Sequence, residues 1–135
     1  MEYSAGMVSQ VFAFVETKKT AELLTLISIM LTDKLFFEFV HEVYREKIIL
    51  GEKTIEDRDM NVFFNEKVTQ SEEVSSWSES AITKLKRCYL KNLADAGLLE
   101  STKTREIKHA LVNYRIEELL NHNGMGAYIS AVKGV

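Results

Sequence analysis

The chain has 135 residues, 46% of them hydrophobic and 27% charged, with no proline and a formal net charge of −3, which excludes a disordered composition and supplies enough apolar surface for one compact domain. Its single cysteine, Cys88, excludes an internal disulfide and, with no signal-peptide pattern, points to a reducing, cytoplasmic setting. The charge is uneven: residues 1–77 hold 8 Lys+Arg against 14 Asp+Glu, whereas residues 78–135 hold 9 against 6, an asymmetry that fits a polyanion partner at the basic end.

In chain order, the most apolar stretch, "AELLTLISIML" from Ala21 to Leu31, is 11 residues long, too short for a membrane span, and reads as a buried helix. "DKLFFEFVHEVYREKIILG" follows with Leu35, Phe36, Phe39, Val40, Val43, Tyr44 and Ile48 at helical spacing, Asp33 as N-cap and Gly51 beyond the end. Its other face carries Glu38, Glu42 and Glu46, which read as solvated because no histidine or cysteine joins them at ligand spacing. "TIEDRDMNVFFNEKV" predicts a helix capped at Thr54 with acids in its first turn and Met60, Phe63, Phe64 and Val68 as its apolar set. Asp57 and Asp59 there need no metal to explain them.

Ser71 caps a short piece, "SEEVSSW", in which Val74 and Trp77 are the expected core anchors, and Ser76-Trp77-Ser78 turns a corner. From Glu79 a longer helix puts Ile82, Leu85, Tyr89, Leu93 and Ala96 on one face and Ser80, Lys84, Arg87 and Lys91 on the other, with Gly97 past its end. Leu98-Leu99 and the alternating Ile107, His109, Leu111 read as two short strands around "ESTKTRE", a polar tip holding Lys103 and Arg105. "NYRIEELLNHNG" and "GAYISAVKG" close the chain as two short helices.

Catalytic constellations are poorly represented. Cys88 sits at the edge of an apolar face, where a cysteine packs, and His41, His109 and His122 pair with no cysteine or carboxylate in a metal or triad pattern. The expectation is no enzyme, no metal, no cofactor and no small-molecule substrate.

The order that remains, two helices, a sharp corner, a basic helix and a basic hairpin, is that of a winged helix-turn-helix. There the third helix enters the major groove of double-stranded DNA and the wing reaches adjacent backbone. Ser80, Thr83, Lys84, Arg87, Lys91, Lys103 and Arg105 are the candidate DNA-binding residues. The fold expected is mainly α: an N-terminal helical part (1–52), a winged-helix-like module with a short β-hairpin wing (53–112) and C-terminal helices packed on the same core (113–135).

"DKLFFEFVHEVYREKIILG", "FFNEKVTQSEEVSSW", "ITKLKRCYLKNLADAGLL" and the opening "EYSAGMVSQVFAFVETKK" together resemble the BrxA family, an accessory component of the bacterial BREX phage-exclusion system. The resemblance implies a small helical, non-catalytic DNA-binding protein, with an N-terminal part similar to the NusB-type RNA-binding bundle and a winged-helix-like C-terminal part. Family members are usually longer, and the helices expected between "ETKK" and "LLTLISIML" are missing or shortened here. The rival reading is a protein–protein adaptor that docks other BREX proteins through the Phe/Tyr-rich helix at 33–49 and uses no nucleic acid.

Overall fold

In the computed structural model, residues 18–135 are described, apart from Leu111 and Asn113. Most of the stretch "EYSAGMVSQVFAFVETKK", and Leu111 of the expected second strand, therefore lie outside the described residues. What is described is mainly helical: α1 (Lys18–Thr32), α2 (Lys34–Phe39), a π-helical turn (Val40–Tyr44), α3 (Arg45–Ile49), α4 (Asp57–Gln70), α5 (Glu72–Ser75), α6 (Glu79–Asp95), α7 (Tyr114–His122) and α8 (Gly126–Lys133).

In α1 the apolar run is a buried helix as its length suggested, with Leu23, Leu24, Leu26, Ile27 and Met30 in the core. Its hydroxyls do not break it, because Thr25 and Ser28 donate back to the carbonyls of Ala21 (3.0 Å) and Leu24 (2.9 Å). Asp33 ends α1 and caps α2, its carboxylate accepting from the Phe36 N–H at 3.1 Å. The next 16 residues run on as one rod, since the residues flanking the π turn keep right-handed helical dihedrals. Only the hydrogen-bond register changes: the Arg45 N–H reaches the Val40 carbonyl, five residues back.

Helix α4 is capped by Glu56 rather than Thr54, and the Asp59 carboxylate accepts from the Glu56 N–H at 2.8 Å. Thr54 is left in extended backbone, where it forms an isolated antiparallel bridge with Glu106. Leu99 forms another with Ile107. Around these, Ile55 N–H donates to Arg105 (3.2 Å), Ile107 N–H to Lys53 (2.8 Å), Glu100 N–H to Glu106 (2.9 Å) and Lys108 N–H to Leu98 (2.9 Å). Residues 105–108 thus lie between 53–55 and 98–100. No strand longer than these bridges forms among the described residues, so the two expected strands are reduced to single pairings.

One hydrophobic cluster extends from Leu23 in α1 to Val132 in α8. At its centre Phe36, Phe39, Phe63, Phe64 and Tyr89 interlock, with Phe36–Tyr89 and Phe39–Phe63 ring centroids 4.9 and 5.4 Å apart. Two lysines are buried beside it. Lys67 places its ammonium between Glu38 (2.6 Å) and Glu42 (2.8 Å), and Lys47 lies between Glu52 and Asp59 (2.7 Å to the latter). The acids of the 34–49 rod are therefore not a freely solvated face: Glu38 and Glu42 are half-buried braces onto α4.

Trp77 is half-buried, not a core anchor; Val74 alone of the corner's apolar pair is fully packed. The corner forms without it because Ser71 and Ser78 each accept a backbone N–H, from Val74 (3.3 Å) and Ala81 (3.1 Å).

Candidate nucleic-acid interface

Helix α6 begins at its Ser78 cap and ends before Gly97, which adopts a left-handed φ of 79° that an L side chain resists. Tyr89, Leu90 and Leu93 are buried and Ile82 and Leu85 pack half-buried against the core. That orientation turns Ser80, Thr83, Lys84, Arg87 and Lys91 outward, all exposed. Cys88 is exposed too, among the outward cations rather than at the edge of the core.

The cations differ in what they hold. Lys84 and Arg87 make no ion pair among the described residues. Lys91 is 72% exposed and donates to Asp95, one turn on, at 3.0 Å, a surface pair weak enough to open for a phosphate. Lys86, on the flank, is committed to α4: it donates to Asn61 at 2.7 Å and sits 5.8 Å from the centre of the Phe64 ring.

Where the wing was expected lies a tight turn in which the Ser101 hydroxyl accepts the N–H groups of Lys103 (3.3 Å) and Thr104 (3.0 Å). Lys103 is exposed on that turn. Arg105 is not: its φ of 54° bends the chain into the left-handed region, and its half-buried guanidinium is bonded to Asp57 at the start of α4. The hydrogen bond and charge of Arg105 hold the Asp57 carboxyl below its ordinary value. Beside Arg105 a hydrogen bond shared with Glu100, and that residue's charge, raise the Glu106 carboxyl.

Of the seven sequence-derived candidates, the structure brings five together along α6 and puts Lys103 on the 101–104 turn, while Arg105 ties that turn to the start of α4. Lys53 and Lys108, exposed where the 53–55 segment pairs with the 105–108 segment, were not foreseen. Lys108 lay in a run read as strand and Lys53 is distant in sequence from the basic helix. No cluster of His, Cys, Asp and Glu able to hold a metal occurs among the described residues, and none of their helices is long and apolar enough to cross a membrane.

Fold and surface together define a small, mainly α-helical protein that presents the exposed cations of α6 near a turn held by isolated bridges. The BrxA family model matches residues 19–124, and the chain belongs to that family. It is 41% identical over 117 residues to a protein of Bacillus cereus (strain H3081.97) named BREX protein BrxA, covering 86% of this chain and 58% of the relative. The chain thus spans less than two thirds of that relative's length. In fold it is similar to a crystal structure of an uncharacterized protein from Magnetospirillum magneticum, with a TM-score of 0.81 at 15% identity, covering 98% of this chain and 69% of that one.

Proposed function

We propose that this chain is a non-catalytic, cytoplasmic DNA-binding accessory protein of a BREX-type antiphage system, working with other BREX proteins and needing no cofactor. The observation that carries the reading is the outward face of α6, where Lys84 and Arg87 are exposed without an ion pair among the described residues while the opposite face is locked into the core. A cation with no protein partner is available to a phosphate, and releasing the phosphate's condensed counterions favours association.

The succession of elements supports a winged-helix geometry for this contact. The rod at 34–49, an extended 53–55, α4, the short α5 and α6 come in that order, and the hairpin then pairs back onto 53–55. In such a module, 53–112, α6 lies in the major groove with Ser80 and Thr83 near its leading end, and Lys103 meets adjacent backbone. Lys91 and Arg105 add two further contacts if they exchange Asp95 and Asp57 for phosphate.

The test is fluorescence anisotropy with a short duplex, the matching single strand and an RNA of the same length. The duplex should bind tightest. Lys84→Glu with Arg87→Glu should weaken it about tenfold or more regardless of sequence, with melting unchanged. Unaltered affinity in the folded double variant would remove this surface from the account.

A further inference from the structure

Helix α4 has two working faces. At about 100° per residue, Asp57, Asn61 and Phe64, which hold Arg105 and Lys86, share one side of it. Asp59, Val62 and Glu66 occupy the other, and between that side and the 34–49 rod runs an open groove of about 450 Å³. The DNA-binding reading makes no use of it.

Three features distinguish this groove from ordinary surface. Leu50 and Val62 on its walls are 67% and 50% exposed, in a protein that buries most of its large apolar side chains. Five carboxylates against two cationic side chains line it; Arg45 on Glu46 and Lys67 on Glu42 reduce the surplus to one negative charge, and Glu66 makes no ion pair among the described residues. The π turn, an irregularity that recurs at functional sites, contributes His41, Glu42 and Val43 to its lining, and the buried Nδ1 of His41 has no hydrogen-bond partner.

We infer that this groove receives a cationic amphipathic helix from a partner protein, its apolar side chains on Leu50 and Val62 and its Lys or Arg side chains over Glu46 and Glu66. Helix-in-groove docking needs an apolar trough with a complementary rim, and the sign of this rim selects a basic ligand. Nucleic acid and acidic peptides are repelled by the same charge. A second copy offering its α6 is a poor fit, because the outward face of that helix carries no large apolar side chain to fill the trough. The inference rests on the reading that the chain works with other proteins of its system, and is independent of the DNA contact.

The experiment uses the full chain and a labelled synthetic peptide of roughly 18 residues, leucine and lysine placed at helical period, beside a scrambled peptide of identical composition. The periodic peptide should bind about tenfold tighter than the scrambled one, and Leu50→Ser with Val62→Ser should remove about that preference, as should Glu46→Lys with Glu66→Lys. Duplex DNA affinity should stay within about twofold in the Leu50/Val62 variant. Full peptide binding in the Lys84→Glu, Arg87→Glu protein, which tests DNA separately, also supports the groove. Equal affinity for the two peptides, or unchanged affinity in folded groove variants, overturns the inference. So does concentration-dependent self-association that the Leu50/Val62 variant abolishes, since that would give the groove to a second copy.

Discussion

Lys47 and Lys67 in the acidic half, and Lys84, Arg87 and Lys103 in the basic half, bear the same charge in opposite circumstances. The first two are at most 9% exposed at the side chain and each is held by two carboxylates; the other three are exposed and make no ion pair among the described residues. A buried cation is costly unless fully paired, so in the acidic half charge acts as a cross-brace between the rod and α4. On α6 and the 101–105 turn the exposed charge contributes little to folding, and under the proposed function it meets a partner. Stability and binding should therefore respond to different cations.

The largest expected effect is on the inner face of α6. Tyr89, 1% exposed and in contact with three phenylalanine rings, should cost about 3–5 kcal/mol when replaced by alanine, read by urea denaturation. A loss below about 1 kcal/mol would mean that α6 is not locked against the core. Next, Lys67→Ala leaves Glu38 and Glu42 facing each other without their shared cation. Because both acids retain some access to water, the expected loss is about 2–3 kcal/mol, below the full figure for a broken buried pair. Adding Glu38→Gln should recover part of it, and no recovery would show that Lys67 matters for its stem packing alone.

Alkaline titration tests the Lys67 brace independently of denaturant. Burial lowers the pKa of Lys47 and of Lys67, but the hydrogen bonds and charges of their acid partners outweigh it and raise both above the ordinary 10.5. Desolvation likewise raises Tyr44 and Tyr89 above 10.0. Each group holds its proton more tightly folded than unfolded, so the stability it confers is complete below those ordinary values and is lost as pH climbs through the raised ones. The melting temperature should fall from about pH 10 upward, less steeply in Lys67→Ala. An identical decline in that variant would contradict the brace.

Trp77→Ala should cost only about 1–2 kcal/mol, since the indole is half-buried and serine caps hold the corner. Smallest of all, Lys84→Ala and Arg87→Ala should each change stability by less than about 0.5 kcal/mol.

Much of this division was legible in the sequence, and what was not has physical causes. The helix from Asp33, the Ser71 cap, the helix start at Glu79 and the two faces of α6 follow from local periodicity and capping chemistry, which need only neighbours in the chain. The π turn left no trace, because it changes hydrogen-bond register without glycine or proline to mark it. Glu38 and Glu42 read as solvated because their partner, Lys67, lies 29 and 25 residues away. Arg105 read as a free wing cation for the same reason, with Asp57 48 residues distant. Trp77 was expected in the core on hydrophobicity alone, although a large ring at a corner can pack on one side only.

Under the proposed function the exposed cations of α6 and the 101–105 turn, and not the braced ones, meet DNA phosphates. The most direct measurement is the slope of log affinity against log salt for a short duplex, at about −0.9 per phosphate contact. Lys84, Arg87 and Lys103 acting alone give about −2.7, and the release of Lys91 and Arg105 from their acids takes it towards about −4.5. Replacing Lys84 and Arg87 by alanine should flatten the slope by about 1.8. A slope near zero, or one that the double variant leaves unchanged, would contradict the account.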